Sequence, residues 1–271
     1  MMQFISRKHD RQNFSICPEN FTGEKGKGGM SIDGASADCA RELGQGWKVS
    51  PLVRIEPGEV FTMAEFSATG AIKHIWLTFS APNARDLILR IYWDGNEKPS
   101  VEVPVGDFFA SANPLEYRQI SSLAVCVNPK LGLNAYWEMP FRTGFKMTLE
   151  NRNPKQVTLY YQIDGEHRAV GEDELYFHAQ FRRVNPLPTR KYIPSWTMLS
   201  ETASMLVHIC TGVSTTPDGG AKVRLSSISM AIRNSRLSAV LVRKIISVVP
   251  IILMLMALMW NIPRLTADCQ R

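Results

Sequence analysis

The segment RIYWDGNEKPSVEVPVGDFF (Arg90–Phe109) contains the pattern from which we predict the fold. Two runs rich in β-branched and aromatic residues, RIYW and SVEVPV, flank the turn-forming residues Asp94-Gly95-Asn96. Successive side chains of a strand point to opposite faces, so one face of such a run can be buried while the other stays available. The segment therefore predicts strands at Leu87–Trp93 and Val101–Val105, separated by a turn.

The same alternation of short β-rich runs and turns continues over residues 47–188. Further strands are predicted at Val60–Phe66, Ile72–Phe79, Phe145–Glu150 and Val157–Ile163. Further turns are predicted at Asn128-Pro129, Asn151–Pro154 and Asp164-Gly165. No stretch keeps the 3.6-residue period of a helix for long. We predict an all-β jelly-roll β-sandwich over residues 47–188, preceded by a loop-rich segment, residues 1–46.

The net charge of +6 comes from the end of the chain. Of 31 Lys and Arg and 25 Asp and Glu residues, 10 basic and 3 acidic ones lie from Thr189 onward, which leaves residues 1–188 with 21 and 22. A near-neutral body without a basic stripe argues against a nucleic-acid partner. The polar N-terminal residues 1–14 have no apolar core of a secretory signal, so we expect a cytoplasmic location.

The cysteines and histidines do not predict a metal or cofactor site. The five cysteines are scattered and lack CxxC spacing, which favours free thiols over a disulfide framework or a zinc site. No combination of His, Cys and acidic residues has metal-ligand spacing, and no Ser/His/Asp pattern is evident. We expect His74, in IKHIW, to be a packed, hydrogen-bonded histidine. We therefore expect neither a metal nor a cofactor.

The composition changes after about Thr189, where aromatic residues become rare and no strand-and-turn pattern persists. Near the end lies an apolar run, Ile245–Trp260, preceded by Arg243-Lys244. The run is short for a membrane span of about 20 residues and contains Pro250. A membrane tail anchor is one interpretation. The one we favour is that the segment is translated in the wrong reading frame and is hydrophobic by accident.

Seven motifs between residues 5 and 188 closely resemble glycoside hydrolase family 172, formerly a domain of unknown function. They are GEKGKGG (Gly23–Gly29), GWKVSP (Gly46–Pro51), IKHIW (Ile72–Trp76), the segment Arg90–Phe109, GLNAYWEMPF (Gly132–Phe141), LYYQID (Leu159–Asp164) and YFHAQFRRVNPLP (Tyr176–Pro188). Described members act on α-D-fructofuranosyl and D-arabinofuranosyl linkages. The resemblance implies two tandem jelly rolls per subunit, assembly as a trimer or hexamer, and a furanoside-containing carbohydrate as ligand.

The family's second jelly roll carries the segments GWWGEGE and GTEDYF with two catalytic glutamates, and neither segment occurs in this chain. Reading the tail one nucleotide out of phase permits RVNNTGWWGEGE over Gly212–Arg224 and GTGTEDYFGG over Ala239–Val249. We therefore expect that a reading-frame shift near residue 190 has replaced the second lobe with a non-native or disordered tail, residues 189–271. A divergent natural C-terminus is the alternative.

A glycosidase needs two carboxylates beside the scissile bond. The in-frame candidate is Asp107, in Gly106-Asp107-Phe108-Phe109, which parallels the missing GTEDYF; pairing with an arginine or capping of a turn is the more ordinary role for such a residue. A surviving active site formed by Asp107 and Glu24 is a further hypothesis. We expect the chain to be inactive, because both catalytic carboxylates of the family lie in the missing lobe.

Other residues are candidates for substrate binding or for a subunit interface. The GEKGKGG loop lacks the spacing of a nucleotide-binding loop, but its glycines permit close approach of a ligand. Exposed aromatics could stack on sugars, although sandwich cores also use them. Strand alternation predicts one polar face in FHAQFRR. The candidates are Glu24, Lys25, Lys27, Trp47, Lys48, Tyr136, Trp137, His178, Gln180 and Arg182. Two alternative functions remain open. One is a non-catalytic carbohydrate-binding β-sandwich, and the other is a tail-anchored membrane protein.

Overall fold

The computed structural model describes residues 11–111, 119–184, 203–214 and 223–233, which form two antiparallel-rich sheets. The first sheet contains β1 (Gln12–Ile16), β2 (Val53–Ile55), β4 (Gly70–Phe79), β7 (Ile120–Ser121), β8 (Val125–Val127), β9 (Leu133–Ala135), β10 (Met139–Phe141) and β12 (Val157–His167). The second contains β3 (Val60–Phe66), β5 (Leu87–Trp93), β6 (Val101–Pro104), β11 (Phe145–Asn151), β13 (Phe177–Val184), β14 (Ala203–Ser214) and β15 (Val223–Arg233). The described elements also include two four-residue α-helices, α1 (Ala37–Ala40) and α2 (Val105–Phe108), and two 3-10 helices, Arg41–Leu43 and Ala84–Asp86.

The order of strands in the first sheet is β1-β12-β4-β9-β8-β7, with β2 beside β12 and β10 beside β4. The order in the second sheet is β14-β15-β13-β6-β5-β11-β3. The chain crosses repeatedly between the sheets, for example from β3 to β4 and from β11 to β12, as the connections of a jelly roll do. The prediction of an all-β sandwich is therefore confirmed.

All six predicted strands are present in the structure. The strands at Val60–Phe66 and Leu87–Trp93 have the predicted bounds, and the other four differ by one to four residues at an end. Val105 is the clearest difference, because it begins α2 instead of ending β6. The turn at Asp94-Gly95 is also confirmed: both residues have a positive φ, 52° and 74°, which such turns require and which glycine and aspartate tolerate best.

The predicted turn at Asp164-Gly165 is wrong. β12 continues through both residues to His167, and only its register with β4 shifts between them. The glycine serves close packing: a Cβ at residue 165 would lie 2.1 Å from the Phe14 ring and 2.6 Å from the Ala71 carbonyl oxygen. A glycine inside a strand marks a bulge or a close approach as often as a turn, and here it marks both.

The core lies between the two sheets and is built from alternate residues of the strands. In β12, for example, Leu159, Tyr161 and Ile163 are buried, while the residues between them are half-buried on the outer face. Trp93 is buried as well, and its indole Nε1 donates to the Phe177 carbonyl at 2.8 Å, which ties the end of β5 to the start of β13. This burial is the main source of stability of the lobe.

The ends of the chain take a larger part in the sandwich than the sequence suggests. The loop-rich N-terminal segment contributes β1, whose Phe14 and Ile16 join the core. The tail contributes β14 and β15, and β15 pairs with β13 at the side of the second sheet. The strands β14 and β15 carry β-branched residues such as Val207, Ile209 and Ile228. Such residues favour pairing with an open strand edge. The rest of the tail, including the run Ile245–Trp260, lies outside the described residues.

A β-bulge in β3 is fixed by a hydrogen bond from the opposite sheet. Met63 and Ala64 are consecutive and both buried, and the pairing of β3 with β11 shifts there by one residue. The Tyr161 hydroxyl donates to the Met63 carbonyl at 2.7 Å, and both residues are buried. Burial raises the pKa of Tyr161, so the hydroxyl remains a neutral donor.

Replacing Tyr161 by phenylalanine should lower the free energy of unfolding by about 1–3 kcal/mol, because the buried Met63 carbonyl then has no donor. Denaturant unfolding of the full chain measures the change. Tyr160→Phe is the matched control, since Tyr160 lies half-buried on the outer face of the same strand. Equal stability of the Tyr161→Phe variant and the parent would contradict this role of the hydroxyl.

Candidate functional site

The structure brings together two of the predicted motifs, GEKGKGG and the start of GWKVSP. The Gly46 amide donates to the Gly29 carbonyl at 2.8 Å, and the Gln45 side-chain amide donates to the Met30 carbonyl at 2.7 Å. Gly29 has a φ of 68°, and a Cβ on it would lie 3.1 Å from the Gly46 carbonyl oxygen, so glycine suits this contact. The two motifs therefore form one loop cluster, residues 23–48.

The charged candidates of this loop cluster all point to solvent. Glu24, Lys25, Lys27 and Lys48 are exposed, and the Trp47 side chain is 52% exposed. Asn20, which the sequence did not single out, holds the loop by accepting from the Gly23 amide at 3.1 Å and donating to the Glu24 carbonyl at 2.9 Å. The backbone is thus fixed while the side chains remain available to a partner or a ligand.

Tyr136 and Trp137, predicted together as sugar-stacking residues, separate in the structure. The Tyr136 side chain is 48% exposed and stacks on the His74 imidazole, with ring centroids 4.8 Å apart and ring planes 11° apart. Trp137 turns inward and packs against the core, with its ring centroid 5.9 Å from that of Phe177. Trp137 is thus a packing residue, and Tyr136 alone offers an aromatic face at this position.

Below Tyr136, a hydrogen-bonded row crosses four strands of the first sheet. His74 Nδ1 lies 2.9 Å from Asp164 Oδ2, and His74 Nε2 lies 3.1 Å from Asn134 Oδ1. Asp164 also accepts from the Ser15 hydroxyl at 2.7 Å and from the Gln162 amide at 2.9 Å. The expectation that His74 is a hydrogen-bonded histidine is confirmed. We call Tyr136 and this row the Tyr136 platform.

The platform contains a serine, a histidine and an aspartate, but not in the geometry of a catalytic triad. In a triad, the serine hydroxyl bonds the imidazole nitrogen opposite the aspartate. Here the Ser15 hydroxyl bonds Asp164, and Asn134 occupies that nitrogen of His74. The arrangement holds the imidazole flat beneath Tyr136 instead of activating a nucleophile.

The hydrogen bonds of the Tyr136 platform shift the pKa values of His74 and Asp164. The hydrogen bond to Asp164 outweighs partial burial and raises the pKa of His74 above its ordinary 6.5. Partial burial alone would raise the pKa of Asp164, but the hydrogen bonds from His74, Ser15 and Gln162 outweigh it and lower that pKa below 3.8. The charged pair is therefore the favoured state from the lowered pKa of Asp164 up to the raised pKa of His74.

Asp107, the weak catalytic candidate, is buried in an ion pair. It lies in α2 directly after β6, is 4% exposed, and accepts from Arg85 Nε at 2.7 Å and Nη2 at 2.8 Å. The Arg85 guanidinium also lies 5.5 Å above the centre of the Phe181 ring. Two parallel bonds to a guanidinium are the geometry of a strong structural pair. Among the described residues, no hydrogen bond or ion pair joins Asp107 to Glu24.

In a comparison with protein families, residues 48–163 match the family described as GH172 domain-like. These residues form a GH172-like domain. Comparison with curated proteins gives no match. The predicted resemblance to glycoside hydrolase family 172 is thus confirmed for this segment, which runs from Lys48 into β12 and includes His74, Asp107 and Tyr136. The GEKGKGG loop and β13 lie outside it.

The polar face predicted in FHAQFRR lies in β13, beyond the matched segment of the GH172-like domain. Phe177 and Ala179 are buried, whereas His178 is half-buried and Gln180 exposed, as strand alternation predicts. Gln180 lies in parallel register with Glu102 of β6. The side chain of Arg182 lies outside the described residues. His178 and Gln180 therefore belong to the outer face of the second sheet, away from the Tyr136 platform on the first.

Two further findings concern metals and membranes. Within residues 11–111 and 119–184, no group of three or more His, Cys, Asp or Glu side chains is placed to hold a metal ion. In the described part of the chain, none of the helices has the length and apolar character needed to cross a bilayer. Cys17, Cys39 and Cys126 of the GH172-like domain and its N-terminal extension are free thiols.

The stability contributed by the His74–Asp164 pair should be greatest between about pH 4 and pH 6.5. The raised pKa of His74 contributes stability that is complete below 6.5 and is lost as the pH rises through the folded-state pKa. The lowered pKa of Asp164 contributes stability that is complete above 3.8 and is lost as the pH falls through its folded-state pKa. The difference in unfolding free energy between the parent and His74→Gln, measured from pH 3 to pH 9, should peak in this window. A difference that does not vary with pH would contradict the assignment.

Proposed function

We propose that this chain is a carbohydrate-binding lobe of the glycoside hydrolase family 172 type that binds a furanoside without hydrolysing it. The observation that carries the proposal is the exposed Tyr136 ring, held flat on His74 inside the GH172-like domain. A sugar ring presents an apolar C–H face and a polar rim of hydroxyls. An exposed aromatic face beside amide, hydroxyl and carboxylate groups complements both parts.

The hydrogen-bonded row beneath Tyr136 supports binding because it fixes the ring before a ligand arrives. His74 is held at both ring nitrogens, by Asp164 and by Asn134. A stacking surface that is already ordered loses little conformational entropy when a ligand binds. Trp76, on β4, lies in register with Gln162 and Asn134 and extends the same outer face.

The proposal excludes hydrolysis at Asp107 and at the Tyr136 platform, because the carboxylates there are already engaged. Retaining and inverting glycosidases both need two carboxylates that reach the scissile bond. Asp107 is bound by Arg85, and Asp164 by Ser15, His74 and Gln162. In this proposal the catalytic pair belonged to a second lobe, which a reading-frame shift near residue 190 replaced with residues 189–271. Sequencing of the gene across codons 180–200 tests that part directly.

The loop cluster of residues 23–48 is proposed as a contact between copies of the chain, as expected from the trimers and hexamers of the family. Its apolar side chains are unusually exposed for a soluble domain: Ile32 is 71%, Leu43 53% and Trp47 52% exposed. The same loop cluster carries the exposed charges Lys25 and Lys27, and exposed apolar groups with polar residues at the rim are typical of subunit contacts. A cytoplasmic location completes the proposal.

Tyr136→Ala should weaken binding of arabinofuranose oligosaccharides by the full chain at least about fivefold, since loss of an aromatic stacking face is worth about 1–3 kcal/mol. Titration calorimetry measures the affinity. Leu123→Ala is the control, because Leu123 is 91% exposed but cannot stack. Unchanged affinity of Tyr136→Ala would exclude the Tyr136 platform as the binding surface.

The full chain should release no nitrophenol from nitrophenyl arabinofuranoside above the buffer blank. Asp107→Asn should instead lower the unfolding free energy by roughly 2–3 kcal/mol, less than the ~3–5 kcal/mol of a fully buried pair, because Arg85 is partly exposed. Hydrolysis by the parent that Asp107→Asn abolishes would refute the non-catalytic assignment. Paired activity and denaturation assays on the two proteins decide between these roles.

A further inference from the structure

A groove of about 790 Å³ crosses the outer face of the second sheet. Its floor is formed by β3, β5 and β11, and one wall is formed by the turn at residues 94–97. The polar and aromatic side chains that line it include Thr62, Glu65, Tyr92, Glu97, Lys146 and Thr148. We call these residues the Tyr92 groove. Its volume lies within the range of about 300–1,000 Å³ typical of small-molecule sites.

The bulge in β3 gives the groove its lining. Thr62 and Glu65 are three positions apart, and in a regular strand they would face opposite sides. Because Met63 and Ala64 are both buried at the bulge, Thr62 and Glu65 both face outward. Lys146 lies in register between Glu65 and Tyr92, and Thr148 lies beside Thr62. Bulges commonly re-aim side chains at binding sites.

Thr148 holds an unused hydrogen-bonding group beneath the floor of the groove. The residue is only 4% exposed and lines the groove floor, on the opposite side of β11 from the core residues Met147 and Leu149. Its hydroxyl oxygen has no hydrogen-bond partner among the described residues. A buried hydroxyl without a partner destabilises the free protein. The oxygen itself is closed to solvent in the free protein, so a ligand hydroxyl would satisfy it only after the Thr148 side chain rotates about χ1 toward the groove.

The wall of the groove is preformed. Asp94 Oδ1 accepts from the consecutive amides of Arg142, Thr143 and Gly144 at 2.9, 2.8 and 3.1 Å. The Tyr176 hydroxyl donates to the other oxygen of Asp94. The three amide bonds join the 94–97 turn to the 142–144 turn across the end of the groove, and the fourth bond anchors Asp94 to Tyr176. A site with fixed walls loses little entropy on binding.

The charge of the groove restricts the ligand. Glu65, Asp94 and Glu97 are acidic, and Lys146 supplies the one positive charge among the lining residues of the described chain, 3.7 Å from Glu65. A phosphate or uronate would meet excess negative charge here, which disfavours it. A neutral ligand rich in hydroxyls can donate to the carboxylates and stack on Tyr92.

We propose that the Tyr92 groove binds a short neutral oligosaccharide, with Tyr92 as the stacking surface and the Thr148 hydroxyl as the hydrogen-bonding group at its floor. The site goes beyond the proposed function, because it lies on the second sheet, whereas the Tyr136 platform lies on the first. The two sites are therefore on opposite faces of the sandwich.

The test uses the full chain carrying Tyr136→Ala, so that its result does not depend on the platform. Titration with neutral tetrasaccharides of arabinose, fructose, glucose and galactose should show saturable binding of at least one. Adding Tyr92→Ala should weaken that binding at least about fivefold, as expected for loss of a stacking face. Adding Thr148→Val should weaken it about fivefold, as expected for one hydrogen bond, while leaving the melting temperature equal or higher. Thr158→Val, on the outer face of the first sheet, is the matched control and should leave the affinity unchanged.

Three results would overturn the proposal. The first is that none of the four tetrasaccharides binds in the Tyr136→Ala background. The second is that binding survives both Tyr92→Ala and Thr148→Val unchanged. The third is that trigalacturonic acid binds as tightly as the neutral sugars. A different result would overturn only the proposed function of the platform. It is that Tyr136→Ala binds arabinofuranose oligosaccharides as tightly as the parent chain does, while the groove still binds its sugar.

Discussion

The hydrogen bond from the Tyr161 hydroxyl to the Met63 carbonyl connects the two sheets at the point where β3 departs from regular pairing. A bulge leaves backbone groups out of the ladder, and a buried carbonyl without a donor is costly. Tyr161 supplies the donor from the opposite sheet. It thereby offsets part of the cost of the bulge, and the bulge places Thr62 and Glu65 on the same outer face. The lining of the Tyr92 groove therefore depends on a residue in the core.

Much of the fold could be predicted from local sequence, because each strand has its own signal. Alternating apolar residues bounded by turns predicted β3 and β5 with their observed bounds. Local signals failed where a contact distant in sequence decides the conformation. Gly165 reads as a turn, yet the ring of Phe14, about 150 residues earlier, occupies the space of its missing side chain. The strand β1 was missed for the same reason, since its partner β12 lies far along the chain.

The candidate site was less predictable than the fold. Tyr136 could be proposed from its type, but its neighbour Trp137 has the same character and turns inward. The row beneath Tyr136 joins Ser15, His74, Asn134 and Asp164 from four strands, and only the register of those strands brings them together. The proximity of GEKGKGG to GWKVSP rests on backbone bonds between glycines, which carry no side-chain signal.

The two-layer architecture has a consequence for how the lobe meets an extended polymer. Packed sheets lie about 10 Å apart, so the Tyr136 platform and the Tyr92 groove face away from each other across one thin slab. A single chain segment cannot contact both surfaces at once, but two neighbouring strands of a polysaccharide can. With sugar bound at both proposed sites, the lobe would bridge such strands, and its apparent affinity for a dense glycan mesh would exceed that of either surface alone through effective concentration.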